Sequence, residues 1–436
     1  MYSLYLHIPF CLHRCAYCDF NTYAGQEVLI PAYVDALCNE IRAVASSASE
    51  RLPAHTIFFG GGTPSLLAPK QLEQILRTLH DHFDLSDPET SLEANPGTVT
   101  LASLRDLRRM GFNRISFGIQ SAHPDELRQL ERIHDFFDVI NSVKWARQAG
   151  FDNLSLDLIF GLPEQSFDRW QATVKSALGL QPEHLSLYAL TLEHGTPFGR
   201  WAARGLLPTP DPDLAAEMYE WAGEYLAAQG YIQYEISNWA KDVKRPMSKV
   251  EPASPDLRPF DKLRAGSSTF DLQPHFVCRH NLQYWRNQPY LGFGAGAHGF
   301  AAGMRYSNVL RIKTYIERCH LSLATRHSFP LSSATVNCHH IAPKTEMQET
   351  MFTGLRLTRE GVSAEVFRKR FGVELQEVFG KEIDELIALG LLEWVRDETS
   401  EVSPGLPVRA GKTSEVLRLS ARGRLLGNQV FMRFVD

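Results

Sequence analysis

The sequence predicts an α/β fold, a partial barrel of six β/α units followed by a small C-terminal α+β domain. Over the first half of the chain, short β-rich runs alternate with amphipathic stretches of helical length. Several of the runs end at glycines, as at Gly60 and Gly161, which is typical of strand-to-helix turns. The 436 residues are enough for one large domain and a smaller one.

Six strand and helix pairs follow one another in this pattern. The predicted strands are residues 3–7, 56–59, 91–94, 114–118, 154–160 and 184–190. The predicted helices are residues 31–47, 70–82, 101–110, a stretch ending near Gly150, 167–178 and 214–229. Such an order predicts a parallel sheet with helices outside it, and functional sites at the carboxyl ends of its strands.

Composition is that of an ordinary soluble globular protein. Hydrophobic residues make up 44% and charged residues 22% of the chain, and the net charge of −5 gives no electrostatic footprint for nucleic acid. No apolar run approaches the length of a transmembrane helix, and the first residues lack the pattern of a signal peptide. We therefore expect a cytoplasmic protein with reduced cysteines.

Three cysteines near the start of the chain carry the strongest chemical signal. Cys11, Cys15 and Cys18 are separated by three and two residues. Three thiolates are one too few to ligate every iron of a four-iron cluster, so one iron would stay open for a ligand. On spacing alone a zinc site remains open, with His7 or His13 as the fourth ligand. A disulfide framework is disfavoured in a chain of this length with seven cysteines.

Other polar or flexible groups fall at predicted strand ends. They are Gly60–Gly62 with Thr63, Glu93, Gln120 and Asp157, and Arg132 lies in a helical stretch. Each group also has a simpler interpretation. The glycines can form a tight turn, the polar residues at strand ends can be solvated rim residues, and Arg132 can be an exposed helix charge. Their convergence on one barrel mouth beside the cysteines indicates a ligand site.

The cysteine spacing, the barrel and the run GGGTP together resemble the radical S-adenosylmethionine (radical SAM) superfamily. The runs LYLHIPFC, ISFGIQS, LDLIFGLPEQ, LSLYALTLEHGT and YEISN narrow the resemblance to the oxygen-independent coproporphyrinogen III oxidase family, over nearly the whole chain. The resemblance implies that Cys11, Cys15 and Cys18 ligate a [4Fe-4S] cluster whose open iron binds S-adenosylmethionine.

The same resemblance assigns further roles by position. The residues implied to contact S-adenosylmethionine are Tyr5, Tyr17, Gly61, Gly62, Thr63, Glu93, Gln120, Arg132 and Asp157, with Thr191 a weaker candidate. Asp157 suits ribose hydroxyls, because a carboxylate accepts hydrogen bonds well. No catalytic residue is assigned.

Two features separate the chain from the oxidases themselves. Phe20 stands where the oxidases have a fourth cysteine, and the chain begins almost on its first strand, without their N-terminal extension. The run HNLQYW resembles the H-N-x-x-Y-W motif of the HemW branch, whose members are described as heme chaperones. The implied heme-binding residues are His280 as iron ligand, with Asn281, Tyr284 and Trp285. The alternative is that the HNLQYW run is an ordinary half-buried aromatic segment. Cys278 and His298 are weaker candidates for heme binding, and we expect both to be structural residues.

The chain is expected to have four parts. The predicted boundaries are a barrel over residues 1–240, a polar inserted loop over 241–277, a heme-motif segment over 278–343 and a C-terminal domain over 344–436 that resembles the family's winged-helix-like module. In that domain we expect helices over 347–355, 363–371 and 380–389 and a strand over 417–420. A second polar stretch covers 396–412.

Two functions follow from the resemblance. The first is a radical SAM heme chaperone that binds a [4Fe-4S] cluster, S-adenosylmethionine and heme, and delivers heme to apoproteins. The alternative is an oxidase that decarboxylates coproporphyrinogen III to protoporphyrinogen IX through a 5′-deoxyadenosyl radical. Phe20 and the H-N-x-x-Y-W run favour the first. An electron donor of flavodoxin or ferredoxin type is a further implied partner.

Overall fold

The computed structural model describes residues 1–242, 275–321, 328–396 and 415–435. Most of the predicted inserted loop (241–277) and of the second polar stretch (396–412) therefore lies outside the described residues. Within the described ranges, none of the helices combines the length and apolar character that crossing a bilayer requires.

Strands and helices are numbered in chain order. The strands are β1 (Tyr2–Ile8), β2 (Phe10–Cys11), β3 (Tyr23–Ala24), β4 (Leu52–Gly61), β5 (Phe83–Ala94), β6 (Arg114–Gln120), β7 (Leu154–Phe160), β8 (His184–Ala189), β9 (Tyr231–Glu235), β10 (Asn238–Lys241), β11 (Tyr290–Phe293), β12 (His298–Ala301), β13 (Met304–Asn308), β14 (Thr335–His340), β15 (Val362–Ser363), β16 (Leu392–Arg396) and β17 (Glu415–Leu419). The α-helices are α1 (Ile30–Ser47), α2 (Pro69–His82), α3 (Leu101–Arg109), α4 (Pro124–Gln129), α5 (Phe136–Gln148), α6 (Phe167–Gly179), α7 (Pro197–Ala203), α8 (Pro212–Ala228), α9 (Arg279–Trp285), α10 (Ile312–Leu321), α11 (Pro343–Gly354), α12 (Ala364–Phe371), α13 (Leu375–Ala388), α14 (Ala421–Leu425) and α15 (Gly427–Phe431).

A single large sheet forms the centre of the molecule. Its order over the described residues is β14-β13-β12-β11-β1-β4-β5-β6-β7-β8-β10-β9. The strands from β11 to β8 pair in parallel, and antiparallel strands extend the sheet at both ends. The parallel strands are buried apolar runs, as expected where helices cover the outer face. The predicted α/β fold with its partial barrel is confirmed, and all six predicted β/α units are present.

Several boundaries differ from the prediction for physical reasons. Strand β5 begins at Phe83 rather than at residue 91, because its first half, which includes Asp84 and Pro88, pairs with β4 despite its polar sequence. The helical stretch before Gly150 is two helices, α4 and α5. Helix α13 continues through Gly380, which the sequence alone treats as a boundary, with a kink at Phe379.

A separate hydrophobic core lies in the C-terminal part. The antiparallel sheet β15-β17-β16 packs with α11, α12 and α13 around Leu355, Phe367, Ile383 and Leu417. The strand predicted over 417–420 is β17, and the helices predicted over 347–355, 363–371 and 380–389 correspond to α11, α12 and α13, with α11 and α13 each beginning earlier than predicted.

A buried carboxylate, Glu40 on α1, stabilises the glycine-dense loop between β11 and β12. Its oxygens accept hydrogen bonds from the Gly294 N–H at 2.8 Å, Asn308 Nδ2 at 2.7 Å, Tyr315 Oη at 2.6 Å and Ser332 Oγ at 2.8 Å. Burial raises the pKa of Glu40, and the four donors oppose that rise. One side chain thus links α1 to the loop and to the segments that follow it.

Replacing this carboxylate should destabilise the fold strongly. The substitution Glu40→Ala leaves four buried donors without an acceptor, so we expect the free energy of unfolding to fall by about 3 kcal/mol. Glu40→Gln keeps the shape of the side chain and one acceptor oxygen, so its free energy of unfolding should fall less than that of Glu40→Ala. Denaturant unfolding followed by circular dichroism measures both, with the exposed Glu50→Gln as control; equal stability of all three variants would contradict the role given to Glu40.

Candidate functional site

The three predicted cluster cysteines lie together at the mouth of the barrel. Cys11 is at the end of β2, and Cys15 and Cys18 follow in a turn closed by a hydrogen bond from the Cys18 N–H to the Cys15 carbonyl oxygen at 3.1 Å. All three are free thiols. They line one cavity of about 360 Å³, here called the thiol cavity.

Most of the residues predicted to bind S-adenosylmethionine line the same thiol cavity. They are Tyr17, Gly61, Gly62, Thr63, Glu93, Gln120, Arg132 and Asp157, together with Thr191. Tyr5 is the exception: its hydroxyl contacts His7 Nδ1 at 3.0 Å, its ring stacks on Phe58, and it lines two neighbouring cavities instead. The parallel register explains the convergence, because the carboxyl ends of β1, β4, β5, β6 and β7 meet at one edge.

A chain of hydrogen bonds joins two of the cysteines. Thr63 Oγ1 donates to Cys11 Sγ at 3.5 Å, and Asn95 Nδ2 donates to Thr63 Oγ1 at 3.0 Å. Asn95 Oδ1 in turn accepts from Arg132 Nη2 at 2.5 Å, while Arg132 Nη1 donates to Cys15 Sγ at 3.5 Å. Hydrogen bonds to ligating sulfurs tune the electronic properties of a bound metal group. The sequence analysis did not single out Asn95, which precedes Pro96 and Gly97 in a run typical of turns.

The two histidines considered as zinc ligands are engaged elsewhere. His7 Nε2 contacts the carbonyl oxygen of Asn21 at 2.9 Å, and its Nδ1 contacts Tyr5. His13 Nε2 faces Glu131 Oε2 at 3.3 Å. Among the described residues, no group of three or more His, Cys, Asp and Glu side chains could hold a metal ion. Three thiols around one cavity fit a larger cluster better than a single ion.

The glycine loop after β4 packs tightly against the end of β1. The Gly62 N–H donates to the Ile8 carbonyl oxygen at 2.9 Å and the Thr63 N–H to the Phe10 carbonyl oxygen at 2.8 Å. A Cβ on Gly62 would lie 2.6 Å from the Ile8 oxygen, so only glycine fits there. The Gly61 N–H donates to Glu93 Oε2 at 3.0 Å. The three amide donors are therefore already used, and a ligand would meet other backbone atoms of this loop.

Two half-buried carboxylates, Glu93 and Asp157, line the thiol cavity. Asp157 accepts from Ser116 Oγ at 2.9 and 3.0 Å and from Ser155 Oγ at 3.3 Å. Burial and the charge of Asp157 raise the pKa of Glu93 to about 7. Both carboxyl groups lie in the cavity wall, which suits a ligand that carries ammonium and hydroxyl groups.

Two side chains lie over Gly118 of β6. Arg132 Nη2 donates to the Gly118 carbonyl oxygen at 2.6 Å, and a Cβ at Gly118 would come within 2.8 Å of Gln120 Nε2. Gln120 itself has a φ of +63°, a left-handed conformation that costs a non-glycine residue about 1 kcal/mol or more. The absence of a side chain at Gly118 thus makes room for both groups at the cavity wall.

The H-N-x-x-Y-W motif lies on α9, which packs against β4 and α11. Glu89 accepts from the N–H groups of Arg279 and His280, each at 3.2 Å, at the start of this helix. His280 is 1% exposed and stacks on Phe58 at 4.9 Å between ring centres. Its Nδ1 contacts Thr56 Oγ1 and its Nε2 contacts Tyr284 Oη, both at 2.8 Å. Burial lowers the pKa of His280 to about 3.

Two further cavities adjoin this helix. An inner cavity of about 280 Å³ is lined by His280, Asn281 and Tyr284 together with Glu93 and Asp157. A wider cavity of about 570 Å³, here called the aromatic cavity, has walls that include Tyr284, Trp285, Tyr290, His298 and Arg305. The structure therefore brings Tyr284 and Trp285 to the aromatic cavity but places His280 and Asn281 at the inner one.

Phe20 connects these spaces. It lines the thiol cavity, the inner cavity and the aromatic cavity, and its side chain is 67% exposed. Asp19 is shared by the thiol and aromatic cavities. Phe20 and Asp19 thus lie between the cysteine site and the aromatic cavity.

The fold and the site together define the class of the protein as radical SAM. Residues 5–177 match the model of the Radical SAM superfamily, and residues 341–394 match that of the HemN C-terminal domain. The solved coproporphyrinogen III oxidase HemN of Escherichia coli has a similar fold, with a TM-score of 0.74 at 23% identity over 99% of this chain and 89% of that one.

Curated relatives specify the family. The chain is 36% identical to the heme chaperone HemW of Bacillus subtilis over 100% of its own length and 99% of the relative. It is 38% identical to the heme chaperone HemW of Escherichia coli over 68% of this chain and 69% of that one. A mitochondrial radical S-adenosyl methionine domain-containing protein 1 of mouse is 33% identical over 89% of this chain and 81% of the relative. The chain belongs to the HemW family.

Membership of the radical SAM superfamily implies a [4Fe-4S] cluster and S-adenosylmethionine as cofactors. The donor set fits both: three thiols on one loop would leave one iron of a four-iron cluster open, and two carboxyl groups and the Gln120 amide line the same cavity. The hydrogen-bonded chain from Cys11 to Cys15 is the kind of outer shell that orients metal ligands.

The raised pKa of Glu93 predicts a measurable pH dependence. The native carboxyl keeps its proton up to about pH 7, whereas in the unfolded chain it titrates near 4.5, so its contribution to stability is lost as pH rises between these values. We therefore compare Glu93→Gln with the wild type in the absence of cofactors. As the pH rises from 5 to 8, we expect the free energy of unfolding of Glu93→Gln to increase by up to about 3 kcal/mol relative to that of the wild type.

Unfolding free energies of the two proteins across this pH range provide the measurement, and the exposed Glu50→Gln is the matched control. Parallel curves for the wild type and Glu93→Gln would show that Glu93 is not the group with the raised pKa.

Proposed function

We propose that this protein is a heme chaperone, which binds heme in the aromatic cavity and passes it to apoproteins. The observation that carries the proposal is the aromatic cavity itself, which adjoins the thiol cavity across Asp19 and Phe20. Its volume of about 570 Å³ lies within the range of cofactor pockets, and its walls combine aromatic rings with an imidazole and a guanidinium. The names of the curated relatives support the same assignment.

We propose the following site residues. The cluster ligands are Cys11, Cys15 and Cys18, and the contacts to S-adenosylmethionine come from the residues that line the thiol cavity. Bound there, the two groups supply one-electron chemistry, and this chain orients them and limits water access. Helix α9 supplies the heme segment, with Tyr284 and Trp285 as an aromatic wall. Binding of iron by His280 would require its Nε2 to leave the Tyr284 hydroxyl.

The oxidase reading is less well supported. The similarity to HemN is a similarity of fold, at 23% identity. Phe20 replaces a thiol by an exposed apolar ring that faces both cavities. An exposed apolar ring at this position suits contact with a porphyrin plane.

We propose a division of labour among the parts of the chain. The barrel of residues 1–240 carries the cysteines, and residues 278–343 add β11–β14 and most of the walls of the aromatic cavity. The described part of residues 344–436 is a winged-helix-like unit with its own core. Heme-accepting apoproteins and a flavodoxin- or ferredoxin-type electron donor are the proposed partners. Seven unpaired cysteines favour the reducing cytoplasm.

Anaerobic reconstitution tests the proposal. With S-adenosylmethionine, reductant and coproporphyrinogen III, we expect no catalytic formation of protoporphyrinogen IX, while hemin binds stoichiometrically in a parallel absorbance titration. Turnover of the porphyrinogen, or failure of the wild type to bind hemin, would overturn it.

A variant that lacks the cluster should separate the two sites. In the triple substitution Cys11→Ala, Cys15→Ala and Cys18→Ala, iron and sulfide content and the cluster absorbance should be lost, because no thiolates remain. Hemin affinity should change less than about tenfold, since the aromatic cavity does not include these side chains. Cys338→Ala, which removes an exposed cysteine outside these cavities, is the control.

A further inference from the structure

Three histidines lie at or near the aromatic cavity, and their ring nitrogens differ in availability. Both nitrogens of His7 and both of His280 are within hydrogen-bond distance of a partner. The ring of His298 has no hydrogen-bond partner among the described residues, and this residue is exposed at the wall of the cavity. His280 does not line this cavity at all.

The backbone that presents His298 is firmly positioned. Glu40 accepts from the Gly294 N–H at 2.8 Å, and the Ala295 N–H donates to Tyr33 Oη at 2.9 Å. Asn21 Nδ2 donates to the Ala295 carbonyl oxygen at 3.0 Å, and a Cβ on Gly296 would lie 2.5 Å from that nitrogen. His298 then enters β12, which pairs with β13. A ligand on a rigid element is already oriented when it binds.

The neighbouring groups suit an imidazole that lies beside a porphyrin. Arg305 lines the same cavity, with its guanidinium over the Phe300 ring and Nη2 at 2.6 Å from Glu349 Oε2. The aromatic residues Tyr284, Trp285 and Phe20 line the same cavity.

We propose that His298, rather than His280, supplies the imidazole that binds heme iron, with α9 contributing an aromatic wall. The inference rests on the proposed function and specifies its ligand. His280 is then a positioning residue: its two hydrogen bonds place Tyr284 at the wall shared by the inner and aromatic cavities.

Hemin titration of the heme-free, full-length protein tests this inference. The variants are His298→Ala, His280→Gln, which can keep both hydrogen bonds, and the exposed His80→Ala as matched control. Absorbance gives the affinity, and electron paramagnetic resonance reports histidine ligation. We expect His298→Ala to weaken binding at least about tenfold and to lose the histidine signature, because outer-shell changes alone cost metal sites that much. Free imidazole should restore the signature in His298→Ala.

The outcomes separate the two proposals. Retention of histidine ligation in His298→Ala, or its loss in His280→Gln alone, would overturn the role of His298 and leave the heme chaperone proposal intact. A wild type that binds no hemin would overturn the proposed function, and with it this inference. Circular dichroism of each variant shows that the loss is not one of folding.

Discussion

The central position of β1 in the parallel sheet is the constraint on which both candidate sites depend. β1 pairs with β4 on one side and with β11 on the other, so Tyr5 lies opposite both Phe58 and Gly292. The cysteine loop leaves the carboxyl end of β1 and meets the glycine loop of β4 on one flank. The loop that carries His298 leaves the end of β11 on the other flank. One buried strand therefore places the thiol cavity and the aromatic cavity side by side.

Polar networks around this strand orient side chains and loops through directional hydrogen bonds, which non-directional hydrophobic packing cannot do. Asn95 and Arg132 connect the sulfurs of Cys11 and Cys15 through directional hydrogen bonds, and Glu40 orients the loop before His298. In a buried environment each of these groups is costly unless its partners are present. Among the described residues, Arg132 Nε and Asn308 Oδ1 stay buried without a hydrogen-bond partner, and the other polar atoms of the two networks hold both cavity walls in place.

Local patterns made much of the fold and of the cysteine site predictable. Alternating strands and helices identified the six β/α units, and parallel topology brought the polar strand ends together, as with Glu93 and Asp157. Other features depended on non-local contacts. The polar start of β5 is a strand because β4 pairs with it. Asn95 precedes Pro96 and Gly97 in a run typical of turns, and only its partners in the loop after β4 and the segment after α4 reveal its role.

By itself, the sequence determined the class of chemistry, because cysteine spacing and strand-end glycines are local properties of the chain. It also identified Phe20 and the run from His280 to Trp285 as distinctive. The tertiary structure alone decided which of these groups are accessible. It enclosed the His280 ring between Thr56 and Tyr284, left the His298 ring open, and set Phe20 between two cavities. Availability for binding depends on burial and hydrogen-bond partners, which segments far apart in the chain supply.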